Sequence, residues 1–184
     1  MERIIDLLRA RPSLALAAVL VPTVVVTALF AWQAVETQYA KNSLQGGLDG
    51  GTLAIQGDVG SVVAFGTTFV NEGDMTLTLE SVGLITPTDG IELAEARAGG
   101  SEPGATFVSA DGVPPETAEL EGSEVAPGEA VGVVVGVTIS QEGDSLGFDG
   151  LRIHFRAGGR AGETVDWGRF GTCAPAPGCD PEPS

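Results

Sequence analysis

The sequence predicts an all-β fold, an antiparallel β-sandwich of seven or eight strands, preceded by one N-terminal transmembrane α-helix. Three observations carry this. Residues 14–34, LALAAVLVPTVVVTALFAWQA, contain no charged side chain. From about residue 51 onward, apolar side chains recur at every second position, the period of a strand with one buried face. Turn-forming Gly, Pro, Asn and Asp separate these runs, with no helical periodicity between them.

At about 1.5 Å per residue, the run 14–34 spans about 30 Å, the hydrocarbon thickness of a bilayer. Ten of its residues are Leu, Val or Phe. At about 0.3–0.6 kcal/mol each, they favour insertion by roughly 3–6 kcal/mol. Pro22 frees one backbone carbonyl, which membrane helices tolerate when neighbouring groups re-satisfy it. Arg3, Arg9 and Arg11 precede the run, and an acidic chain follows it. The positive-inside rule then keeps residues 1–13 in the cytoplasm as a short tail and places everything after residue 34 outside, on a single-pass anchor in the cell membrane. Trp32 and Tyr39 fall at the outer interface. A cleaved secretory signal is the rival reading, but its apolar core is about 7–15 residues and ends in a small-x-small site. This run is longer, and Leu29/Ala31 and Trp32/Ala34 make poor sites. The lipid bilayer is therefore the first expected partner, through residues 14–34.

Residues 35–50 are polar, end in glycines and read as a stalk. The expected sandwich covers 51–170. Its clearest strand is Ala130–Ser140, with Val131, Val133, Val135, Val137 and Ile139 on one face. In Leu151–Arg156, Leu151, Ile153 and Phe155 point in, and Arg152, His154 and Arg156 point out. Ala161–Trp167 returns as its hairpin partner after Gly158-Gly159. Ser61–Val70 places Val63, Phe65 and Phe69 together. In Met75–Ile85 the parity changes near Glu80-Ser81, which requires a bulge. Thr52–Gln56, Ile91–Ala96 and Thr106–Ser109 are weaker strands. The segment 99–129 is rich in Gly, Pro and Glu and reads as a long loop, either disordered or merely lying on the surface, or else binding a partner.

Asn71-Glu72-Gly73 after a strand, and Ala126-Pro127-Gly128-Glu129 before a Val-rich strand, resemble the immunoglobulin-like domains of the CARDB type found in bacterial envelope proteins. The resemblance covers roughly residues 55–158. It implies an immunoglobulin-like sandwich, a role in adhesion or as an accessory module, and no site residues.

The net charge is −16, and residues beyond 13 carry one Lys and five Arg against 23 acids. Such a domain repels nucleic acid and anionic surfaces and attracts cations or basic partners. No P-loop exists, since the single Lys, Lys41, lies in the stalk. His154 is the only histidine and lies between two arginines, so no acyl-transfer triad is expected. No catalytic residue, cofactor or metal site is expected. The acidic turns at Gln141–Asp144 and Phe148–Gly150 lack the calcium-loop consensus. Arg152, His154 and Arg156, with Arg160 beyond, form a basic stripe, either paired across strands to carboxylates or available to an anion or acidic partner. Cys173 and Cys179 bracket a Pro-rich turn in the tail 171–184, and outside the cytoplasm two such cysteines pair as a disulfide. The function this predicts is a non-catalytic, membrane-tethered extracytoplasmic interaction or assembly module with a partner protein in the envelope. The alternative is a carboxylate-based hydrolase or ligand-binding accessory domain, which requires a deep pocket where acids converge.

Overall fold

The computed structural model describes residues 25–27, 43–100, 102, 104–177 and 179. The chain divides into two compact units, Met1–Gln38 and Tyr39–Ser184. In the first, Val25, Val26 and Thr27 are helical. The rest of the membrane span expected over 14–34 lies outside the described residues, as do the tail before it and residues 35–42 of the stalk. Among the described residues, no helix is long and apolar enough to cross a membrane.

The second unit is built from strands. In the largest sheet, β3 (Val62–Asn71) and β9 (Ala130–Ile139) pair antiparallel from Val62↔Thr138 to Val70↔Ala130. β5 (Ile91–Ala98) flanks β9, and β7 (Ala118–Glu119) adds to the end of β5. The other edge of β3 is shared by β1 (Leu44–Gly46) and β6 (Thr106–Ser109). A second sheet runs β12 (Arg160–Asp166), β11 (Gly150–Ala157), β4 (Leu77–Ile85), β8 (Glu124–Val125). A third runs β10 (Gly143–Phe148), β13 (Arg169–Ala174), β2 (Thr52–Gln56). Among the described residues, every pairing is antiparallel except β13 with β2, which is parallel.

The expected alternation places the core. Val133, Val135, Val137 and Ile139 of β9 are fully buried, as are Leu151, Ile153 and Phe155 of β11 and Val63, Phe65 and Phe69 of β3. Each such side chain contributes about 1.5–3 kcal/mol when removed from water. Phe65, Phe148 and Phe170 join the largest sheet to the third: Phe65 meets the other two edge-on at 5.7 Å, and these stack at 4.6 Å. The bulge expected near Glu80 is present, since His154 faces Ser81 and Phe155 faces Leu79, with Glu80 skipped between them.

Thirteen strands are found among the described residues, not seven or eight. Five were not expected: β1, β7 and β8 are two or three residues long, where periodicity is invisible, and β10 and β13 have six residues each whose burial does not alternate. β1 lies in the stretch read as stalk, and β7 and β8 lie with the expected β6 in the segment 99–129. β13 continues to Ala174, past residue 170, so Cys173 sits in a strand. β10 and β11 are one continuous run interrupted at Asp149, and with β12 and β13 they form a long bent hairpin shared between two sheets. The chains touch at the bend: a Cβ on Gly150 would lie 2.1 Å from the carbonyl oxygen of Asp166.

The two short motifs, Asn71-Glu72-Gly73 at the end of β3 and Ala126–Glu129 before β9, meet in space. The Asn71 side chain, fully buried, donates to the carbonyls of Met75 at 2.8 Å and Val125 at 2.9 Å and accepts from Gly73 N–H at 3.0 Å. Its backbone accepts from Gly128 at 2.7 Å and donates to Glu129 at 2.9 Å. One neutral amide thus closes two turns, and a buried polar group so satisfied carries no desolvation debt.

Candidate functional site

The two faces of the β3–β9 pair differ in composition. Residues directly opposite in an antiparallel pair share a face. One face, with Phe65 and Val135, is the core. The other carries Ala64, Gly66 and Thr68 opposite Gly136, Val134 and Gly132. Glycine inside a strand marks a place where another backbone comes close. Here the chain leaving β5 stays bonded to β9, Gly99 N–H donating to the carbonyl of Gly132 at 2.9 Å and Gly132 N–H to that of Gly100 at 2.7 Å, and a Cβ on Gly132 would lie 1.6 Å from the carbonyl oxygen of Gly99. A Cβ on Gly66 would lie 3.2 Å from Cβ of Phe107, and one on Gly136 2.9 Å from the Val113 side chain. The described residues between Gly99 and Thr117 therefore border this outer face as a strap: β6 pairs along the edge of β3 with Phe107 beside Gly66, and Val113 comes against Gly136.

The strap does not fill the face. It leaves a cleft of about 290 Å³, close to the lower end, about 300 Å³, of small-molecule pockets. Gly66, Thr68, Gly132 and Val134 form the floor. Gly99, Gly100, Ala105, Thr106 and Phe107 form one part of the wall, and Pro114, Glu116 and Thr117 another. Thr68 donates its hydroxyl hydrogen to the carbonyl of Ala105 at 3.0 Å, and Thr117 donates to that of Pro114 at 2.7 Å. Glu116, which is exposed, is the one carboxylate that the described residues bring to the lining. Among the described residues, no group of three His, Cys, Asp or Glu side chains is placed to hold a metal ion.

The basic stripe lies on the outer face of β11, away from this cleft. Arg152 is 3.8 Å and His154 Nδ1 3.6 Å from the carboxylate of Glu163, which stands opposite His154 on β12. Arg156 pairs with Glu80 and also donates to the carbonyl of Gly159 at 3.3 Å. Arg160 opens β12, opposite Ala157. These pairs are roughly half exposed, where each contributes about 0–1 kcal/mol. Cys173 and Cys179 are joined by a disulfide with Cα atoms 5.9 Å apart. Beside it, Ala176 donates to the carbonyl of Gly57 at 3.0 Å, and Gln56 Nε2 donates to that of Cys179, so the turn is strapped to the end of β2.

Two features escaped sequence reasoning. The glycines 66, 132 and 136 were legible as strand-interior glycines, which signal a close approach without saying of what. Asp166 was not legible. It is buried at the hairpin bend, where both its oxygens accept the N–H of Leu48, at 2.9 and 3.0 Å, and one accepts that of Gly168 at 2.9 Å. Burial raises its pKa above the ordinary carboxylate value, with the charge of Asp49 adding to the rise; backbone N–H groups oppose it.

No family model matches the chain, and no curated protein matches it. Among solved structures, the VesB protease of Vibrio cholerae is similar at a TM-score of 0.40 and 12% identity, over 77% of this chain and 34% of that one. The secreted serine protease VesC of the same organism is similar at 0.34 and 12%, over 77% and 25%. A family 123 glycoside hydrolase from Clostridium perfringens is similar at 0.33 and 7%, over 70% and 27%. The chain thus spans about a third or less of the length of each.

Proposed function

We propose that this protein is a non-catalytic interaction module of the bacterial envelope: an immunoglobulin-like sandwich held outside the cytoplasm on a single transmembrane helix over residues 14–34, presenting the outer face of β3 and β9 to a partner protein. The observation that carries the reading is the cleft, a shaped concavity lined by backbone, threonine and apolar side chains. Such a lining suits holding a ligand. A carboxylate-based hydrolase sets two carboxyl groups about 5–10 Å apart across its substrate, and among the described residues Glu116 alone contributes one to this lining. The compartment is supported separately. The run 14–34 is uncharged over a bilayer's thickness, and the Cys173–Cys179 disulfide belongs to an oxidising environment.

The test is topological. The full-length chain, expressed in a bacterium, is expected to stay with membranes through an alkaline carbonate wash. Protease added outside spheroplasts should digest its C-terminal domain, and maleimide should label its cysteines only after reduction. Recovery in the cytosolic fraction, or labelling without reduction, overturns the reading.

A further inference from the structure

The geometry points to the cleft on the outer face of β3 and β9 as a docking site for a lysine or arginine side chain, carried on an extended basic segment of a partner protein. This rests on the reading of the chain as an interaction module and names the chemistry of its partner.

Hydrogen-bond inventory gives the first reason. Thr68 and Thr117 have committed their hydroxyl hydrogens to the carbonyls of Ala105 and Pro114. Toward a ligand, these two oxygens can only accept. Glu116 is likewise an acceptor when ionised, and of the lining hydroxyls on the strap, Thr106 can do either. Side chains weighted in this way toward acceptors are matched by a group with several donors and no acceptor, which is an ammonium or a guanidinium.

Charge is the second reason. The sequence from 99 to 129, which includes the strap, holds seven acidic residues and no cationic one. The cation on the same sheet face, Arg97 opposite Val134, is engaged with Glu95 at 3.0 Å. The resulting field attracts cations and turns anions away. Shape is the third. Gly66, Gly132, Val134 and Phe107 offer an apolar bed for a methylene stem, while Glu116 waits at the rim for the charged head. A volume of about 290 Å³ takes one such side chain and its neighbouring backbone.

The experiment uses the full-length, ¹⁵N-labelled chain in nanodiscs of phosphatidylcholine, whose zwitterionic surface does not compete for cations. Three blocked hexapeptides alternate alanine with lysine, with norleucine or with glutamate. The lysine peptide is expected to shift the amide resonances of Gly66, Thr68 and Gly132 and to bind about tenfold or more tightly than the norleucine peptide. The glutamate peptide should leave these resonances unmoved. Raising the ionic strength from about 0.05 to 0.3 M should weaken the lysine complex, because rim charges are screened. Glu116→Gln should weaken binding about threefold or more at unchanged melting temperature. Ala105→Trp, a plug at an exposed wall position, should abolish it. Equal binding of the norleucine peptide, shifts that map away from the cleft, or lysine-peptide binding that survives both substitutions overturns the inference. So does displacement by free lysine amide at the same concentration as the peptide, which would make the ligand a small amine. A chain that sits in the membrane with its domain outside, yet shows no cleft shifts with the lysine peptide, defeats this inference and leaves the interaction-module reading standing. A cytosolic chain defeats that reading instead.

Discussion

The two faces of the β3–β9 pair come from the same twenty residues and meet opposite demands. Val63, Phe65, Phe69, Val133, Val135 and Val137 fill the inner face with large side chains, all buried to 1% exposure or less. The outer face alternates Gly66, Gly132 and Gly136 with Ala64, Thr68 and Val134. Close packing stabilises the first. The second gives up side-chain volume so that another piece of backbone can lie on it, and where that backbone does not reach, a cleft remains. A strand can thus anchor a core and build a binding surface at once, because its side chains alternate strictly between the two.

Substitutions on either face sharpen this contrast. Phe65→Ala removes a ring that touches both Phe148 and Phe170. It should cost about 3–5 kcal/mol by denaturant titration, the range for an aromatic deleted from a packed core. A loss below about 1 kcal/mol would mean that the inner face is not the core. Gly132→Ala adds one methyl group to the outer face, directly against the carbonyl oxygen of Gly99. The expected cost is about 1–3 kcal/mol for overpacking, with faster hydrogen exchange confined to the strap. Wild-type exchange in the strap would break the comparison, since the glycine would then be idle.

Buried polar groups refine the picture. Asp166 has its carboxylate satisfied by backbone N–H groups yet its pKa raised by burial. A raised folded pKa means that its contribution to stability is fully present below the unfolded value near 3.8 and is lost as pH rises through the folded value. Asp166→Asn is neutral throughout. It should lower stability by about 1 kcal/mol at pH 4 and by less at pH 7. A deficit that grows with pH would reverse the assignment. Thr67 provides the opposite case. It shares the inner face with Phe65 and Phe69, and its hydroxyl has no hydrogen-bond partner. Thr67→Val should therefore stabilise the fold by up to about 1 kcal/mol, because it replaces an orphaned polar group with an apolar one of similar shape. The smallest effect belongs to the basic stripe. Arg156→Ala breaks an exposed pair with Glu80 and should change stability by no more than about 1 kcal/mol, vanishing at high salt.

The strand faces of β3, β9 and β11 were legible in the sequence because they are long enough for parity to repeat four or five times. The bulge at Glu80 was legible because it shifts that parity. β7 and β8, two residues each, offer no period to read, and their place is decided by what the segment 99–129 packs against. The pairing of Arg152, His154 and Arg156 with Glu163 and Glu80 was foreseeable as a type and not as a list of partners, since register is set by the hairpin and the bulge together.

By itself, the sequence determined an acidic all-β domain and the inward and outward sets of its main strands. Tertiary structure alone decided that the glycine-bearing face receives the chain leaving β5, that Asn71 and Asp166 close distant turns, and that a cleft remains beside Glu116. The physical reason is range. Alternation is a local property of a pleated strand, whereas a close approach or a cleft is a relation between segments far apart in the chain, and it leaves in each of them only a missing side chain.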